Sequence, residues 1–326
     1  MKRKDIVFIW RYRKEALSLV YLFLIGMAFG AIWIFYDNNA KKTLAFEEDH
    51  DSVEMVVSES RESYVPPEIP IQTREKAWRA NAVKMSAIRD DRPQIAIVID
   101  DLAVVRSRSL DIINLPAPLT LSFLPYAPDL PEITRMAHNR GHELMVHLPM
   151  EPKGDFDPGP HALLTHVSHE KMRADLIFNL SRFDGYVGLN NHMGSAFTED
   201  RKSLDLVLDE VQRRGLLVLD SRTSRKSLLA KMSTDRNIPN MTRDFFLDNE
   251  QDVDYIFAQL TKLEDMARRK GSAIAIGHPY AETIEALTLW LPTLKARGIM
   301  VVPLSHLIKR KYEGIRLAKN SSTAGH

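Results

Sequence analysis

Ile95-Ala96-Ile97-Val98-Ile99 runs without a polar break into Asp100-Asp101. Five apolar residues, four of them β-branched, form a strand, and one that is apolar on both faces belongs in a sheet covered on both sides. If the strand continues through the acid pair, the two carboxylates point in opposite directions and serve different purposes.

The pattern repeats downstream. Leu119–Leu124, Glu143–Leu148, Tyr186–Leu189, Leu216–Leu219, Asp244–Leu247, Ala273–Gly277 and Ile299–Val302 read as further strands. Between them, Leu130–Arg140, His169–Phe183, Asp200–Arg214, Val253–Lys270 and Ile284–Arg297 have helical spacing. Gly141, Gly215, Gly271 and Gly298 each follow a basic helix end and precede a strand, the place for a left-handed C-terminal cap. Seven or eight such units in about 220 residues predict an α/β barrel, complete or incomplete, ahead of an open doubly wound sheet.

The 326 residues also hold a segregated N-terminus. Residues 1–15 form a basic stub, and Ala16 to Tyr36 carry no charge. As a helix these 21 residues would reach about 32 Å, enough to cross a bilayer. The basic flank places the stub in the cytoplasm and the remainder outside, in the periplasm of a Gram-negative cell. A cleaved signal peptide competes, but Asn38 stands where its cleavage site wants a small residue. Residues 37–92 read as a linker with a short helix around Glu75 to Ile88, anchored by Trp78. Residues 93–310 form the main domain, and 311–326 a polar tail. A net charge of +1 gives no reason to expect a nucleic-acid partner. Cysteine is absent, which excludes disulfides, thiolate metal sites and a cysteine nucleophile.

In barrels and open sheets alike, chemistry gathers where strands end. Beside Asp100-Asp101, three of eleven histidines lie at strand exits: His147, His192 and His278. A lone histidine there is usually a packing or capping residue. Three of them with an acid pair point to one shared mouth and to a divalent metal held by imidazole and carboxylate. Zinc is the expected metal, with manganese, iron, cobalt and nickel admissible. Asp220-Ser221-Arg222-Thr223 and Arg243-Asp244 sit at other strand ends, where capping and structural ion pairing weigh equally with substrate binding.

With these motifs in hand, residues 93 to 309 resemble the divergent polysaccharide deacetylases, a branch of the carbohydrate esterases with a deformed (β/α) barrel. Asn190-Asn191-His192-Met193-Gly194-Ser195, His147-Leu148-Pro149-Met150-Glu151-Pro152 and Gly277-His278-Pro279-Tyr280 carry the resemblance. It implies Asp100 as base, Asp101 and His147 as metal ligands, and His278 as general acid. The family's second metal histidine is replaced by Glu151, so either Glu151 or His192 completes the site. The family's Arg-Pro-Pro-Tyr motif is missing, and Pro279 stands where an aspartate often follows the acid histidine. Asn191 and Arg222 are the candidates for substrate or oxyanion contact. The expected activity is metal-dependent removal of acetyl groups from an extracytoplasmic glycan. An anchored glycan-binding scaffold without chemistry is the alternative, and an amidase acting on peptide crosslinks is a third.

Overall fold

A computed structural model describes residues 76–85 and 91–312. The predicted membrane span at 16–36, its flanks and the polar tail beyond residue 312 lie outside the described residues. Among the described residues no helix is long and apolar enough to cross a membrane.

The sheet is entirely parallel. It comprises β1 (Gln94–Leu102), β2 (Thr120–Phe123), β3 (Glu143–Met150), β4 (Tyr186–Met193), β5 (Leu217–Asp220), β6 (Asn240–Thr242), β7 (Phe245–Phe246), β8 (Ser272–Gly277) and β9 (Met300–Val301). Its order is β6-β5-β4-β3-β2-β1-β8-β7, with β9 added beside the start of β1. The helices between them are α1 (Ala77–Ala80), α2 (Arg106–Ile113), α3 (Leu130–Asn139), α4 (His169–Leu180), α5 (Arg201–Arg214), α6 (Leu229–Asp235), α7 (Val253–Lys270) and α8 (Ala281–Trp290). A last helix occupies residues 304–312. All four glycines expected as caps have positive φ, from 65° to 85°.

The two ends of the sheet path are neighbours in the chain. β6 pairs with β5 through Asp220↔Thr242, and β7 pairs with β8 through Phe246↔Ile276. Arg243 N donates to Asp220 O, and the next amide, Asp244 N, donates to Ile274 O. One stretch of chain therefore changes partner between two residues, and the sheet curls on itself. Sequence reading found only the β7 half of this stretch, because three residues of β6 are too short to show a period.

Alternation along the strands separates two cores. Ile95, Ile97 and Ile99 of β1 pack with helical residues such as Ile133, Leu176, Val207 and Leu260. Ala96 and Val98 face the other way, with Met145, Leu217, Leu219, Ile274 and Ile276. This inner cluster is plugged by Trp78 and by Leu304, Leu307 and Ile308 of the last helix. The inner face turns polar at the C-terminal strand ends: Val98 is followed two residues later by Asp100, Met145 by His147, and Ile276 by His278.

The short helix expected at 75–88 is a single turn, and 83–85 have no helical hydrogen bonds. Trp78 is nonetheless buried, and its amide donates to Gly215 O at 3.1 Å. Replacing Trp78 with Ala should cost about 3–5 kcal/mol, seen as a lower urea midpoint at unchanged slope.

Candidate active site

Asp101 does not continue the strand as a flat extension. Its φ of 56° is left-handed, which turns the chain at the end of β1 and re-aims the side chain. The two carboxylates therefore converge instead of opposing each other. His147 Nε2 lies 3.6 Å from Asp100 Oδ2 and 3.2 Å from Asp101 Oδ1. His192 Nδ1 lies 2.9 Å from Asp101 Oδ1 and 3.1 Å from His147 Nε2. Register explains the two histidines, since Pro149 pairs with His192 and His147 with Asn190 on adjacent strands.

Asp101, His147 and His192 thus present three ligand atoms around one point. Asp101 Oδ1 is buried and takes no hydrogen bond of acceptable direction, although two imidazole nitrogens stand beside it. An unpaired buried oxygen flanked by nitrogen lone pairs suits a cation. A divalent ion about 2.0–2.2 Å from each ligand would space them roughly 3.0–3.5 Å apart, close to the observed edges. The residues fit a metal.

Asn190, fully buried, organises the floor. Its Nδ2 donates to both oxygens of Asp100, at 2.9 and 3.0 Å, and to Ser221 Oγ at 3.0 Å. Its Oδ1 accepts from Ser122 Oγ at 2.5 Å and from His147 Nδ1 at 3.0 Å. The last bond keeps the His147 proton on Nδ1 and leaves Nε2 as a ligand.

His278 faces Asp100 across the mouth, and its partner is Asp248. His278 Nδ1 donates to Asp248 Oδ1 at 2.9 Å, and Asp248 Oδ2 accepts from His278 N at 2.5 Å and Thr283 Oγ1 at 2.8 Å. Gly277 makes room, since a Cβ there would sit 3.3 Å from that carboxylate. Sequence reading missed Asp248, yet it follows a recognised strand and passes the same strand-exit filter that selected the histidines.

The environment pushes these groups apart. Burial raises the Asp100 carboxyl, against the pull of His147 and His278. Burial would raise Asp101 too, but His147 and His192 outweigh it and hold that carboxyl well below the usual range. Burial lowers His147, yet the negative field of Asp100 and Asp101 leaves it raised overall. Burial also lowers His278, but Asp248 lifts it to about 9.

Two expected site residues lie elsewhere, and a third sits at the rim of the mouth. Glu151 is not in the ligand group: its Oε2 accepts from Thr165 N and Thr165 Oγ1, both at 2.6 Å, so it pins the loop after β3. Asn191 is buried on the other side of β4, receiving Ser221 N on Oδ1 and donating to Met193 O. Arg222 is exposed on the rim, with a left-handed backbone.

Comparison with known proteins shows the family to which this chain belongs. Residues 97–308 match the family model described as divergent polysaccharide deacetylase. The chain belongs to the divergent polysaccharide deacetylase family. Two relatives are uncharacterized proteins of Escherichia coli K12 (YibQ) and Haemophilus influenzae Rd. The first is 31% identical over 194 residues, 60% of this chain and 61% of that one. The second is 31% identical over 217 residues, 66% of this chain and 76% of that one. The matched region thus spans about three-fifths of the E. coli relative. The crystal structure of uncharacterized protein ATU2773 from Agrobacterium tumefaciens C58 superposes with a TM-score of 0.68 at 30% identity, covering 71% of this chain and 95% of that one.

Two measurements test the supporting residues. Asp248→Asn removes the charge that raises His278, so its NMR titration midpoint should fall from about 9 toward the unperturbed value near 6.5. An unchanged midpoint would show that Asp248 does not hold the proton. Asn190→Ala should weaken metal binding roughly 10- to 100-fold in a competition titration, with Asp101, His147 and His192 intact.

Proposed function

We propose that this protein is a metal-dependent hydrolase that removes acetyl groups from a cell-envelope glycan. The supporting observation is the Asp101–His147–His192 ligand triangle beside a buried carboxylate and a carboxylate-paired imidazole. Family membership names the substrate class, and the site supplies the parts that acyl hydrolysis requires.

Asp101, His147 and His192 would hold the divalent cation. When bound, such a cation polarises an acyl carbonyl and makes nearby water more acidic. Asp100 accepts the water proton. Its raised pKa makes it a stronger base than a solvated aspartate, and Asn190 fixes its direction. Water oxygen joins the acyl carbon, and the C–N or C–O bond to the sugar breaks. His278, protonated at neutral pH because of Asp248, gives its proton to the departing amine or alkoxide. The products are acetate and the deacylated sugar.

The basic stub before residues 16–36 supports anchoring of this domain at the outer face of the cytoplasmic membrane.

Asp100→Asn should lower acetate release from acetylated envelope polysaccharide by about 10²–10⁴-fold while leaving metal content unchanged. His147→Ala should lose metal and activity together, and chelation should silence the wild type until a divalent ion is returned. Full metal occupancy with no acetate released from any acetylated glycan would overturn the reading. The Asp248→Asn enzyme should lose activity at lower pH than wild type on the alkaline side, because its acid gives up the proton earlier.

A further inference from the structure

Arg243 is a cation that the hydrolytic steps leave unused. It stands where the chain changes partner between β6 and β7. Its Nε donates to Ser221 O at 2.8 Å, Nη2 donates to Arg222 O at 3.2 Å, and the guanidinium lies 3.6 Å over the Phe246 ring. That ring stacks on His278, with centroids 6.1 Å apart and planes at 25°. On the other side, Ser221 Oγ accepts from Asn190, which also holds Asp100. The guanidinium therefore lines the same wall as the base and the acid.

No carboxylate among the described residues forms an ion pair with Arg243. Of the carboxylates whose charge reaches it, Asp220 and Asp244 already cap backbone, and Asp100 is held by Asn190. Asp220 accepts from Arg222 N on Oδ1 and from Ser227 Oγ and Ala230 N on Oδ2. Asp244 Oδ2 accepts from Ile274 N. The next cation, Arg222, adds positive charge instead of removing it. Burial, and then the charge of Arg222, bring Arg243 down to about 10. Asp220, Asp100 and Asp244 offset part of this burial cost from beyond ion-pair distance, and ring stacking keeps the remaining N–H groups in a fixed fork.

A rigid, unpaired fork beside a second arginine fits the two oxygens of a carboxylate. We propose that Arg243, assisted by Arg222, binds a carboxylate on the sugar that bears the acetyl group or on its neighbour, so that the preferred substrate is an acidic glycan. This rests on the proposed function in taking the ligand to be an acetylated glycan.

The test is calorimetric binding by the full-length protein under chelation, so that no turnover intervenes. The probes are chitotetraose, which is neutral, and a hyaluronan tetrasaccharide, which carries glucuronate beside the same N-acetyl sugar. The acidic probe should bind at least about tenfold tighter at low salt, an advantage that shrinks as salt rises. Arg243→Gln should erase that advantage and leave chitotetraose affinity unchanged, while Arg243→Lys keeps part of it. Equal affinities, no binding of the acidic probe, or equal loss of both probes in Arg243→Gln would overturn the proposal. Absence of acetate release after a divalent ion is returned, with the acidic preference intact, would instead overturn the hydrolase reading alone.

Discussion

The buried amide of Asn190 is the constraint on which the site depends. A side-chain amide offers two donor hydrogens and one acceptor oxygen. Here the donors reach Asp100 and Ser221, and the oxygen receives Ser122 and His147. No other orientation of the amide satisfies that set, because Asp100 can only accept when ionised and Ser122 must then donate. The network assigns the His147 proton to Nδ1 and aims Nε2 at Asp101 and His192. It also holds Asp100 close to the ligands without letting it become one. An apolar residue at this position would strip one hydrogen-bond partner from each of four polar side chains inside the sheet.

From that floor upward, adjacent carboxylates of identical chemistry acquire different duties. Asp100 sits on the inner face, nearly sealed from solvent, and is pushed toward the neutral form. Asp101, one residue later, is turned by its left-handed backbone toward two imidazoles and held ionised. Opposite them, the Asp248–His278 pair stores a proton. A base, a ligand and an acid thus come from ordinary side chains whose surroundings separate their pKa values. The separation relies on burial, and burial relies on the inner core being closed below by Trp78 and the last helix.

Much of this was legible in the chain, and the failures have physical causes. The apolar strands and the glycine caps at Gly141, Gly215, Gly271 and Gly298 were readable because they follow local rules. His147, His192 and His278 stood out as polar residues ending apolar runs. The choice of Asn191 over Asn190 went the wrong way, because which of them faces inward depends on an irregular register between β3 and β4, after Leu144. Glu151 occupies a ligand position in the motif, yet the two donors of Thr165 turn it into the loop. The opposed directions expected of Asp100 and Asp101 assumed regular extension, and a single positive φ removes that assumption. β6 and α2 were too short, or too weakly patterned, to register.

Backbone strain has a direction in this fold. Among the described residues seven non-glycine positions have positive φ, and Asp101, Ala103, Asp129, His161, Met193 and Arg222 lie at or beyond the C-terminal ends of β1 to β5. Only Asn237 lies before a strand, at the entry to β6. Each left-handed residue costs about 1 kcal/mol, so several kilocalories per mole are stored at the mouth and almost none at the opposite end. The stretch from β6 to β7 joins the two end strands of the curled sheet through the chain itself, which limits how far those edges can move apart. Turns tighter than a regular loop allows then place Asp101 against His192 and lift Arg222 to the rim. The closure of the sheet and the convergence of the site are one mechanical arrangement.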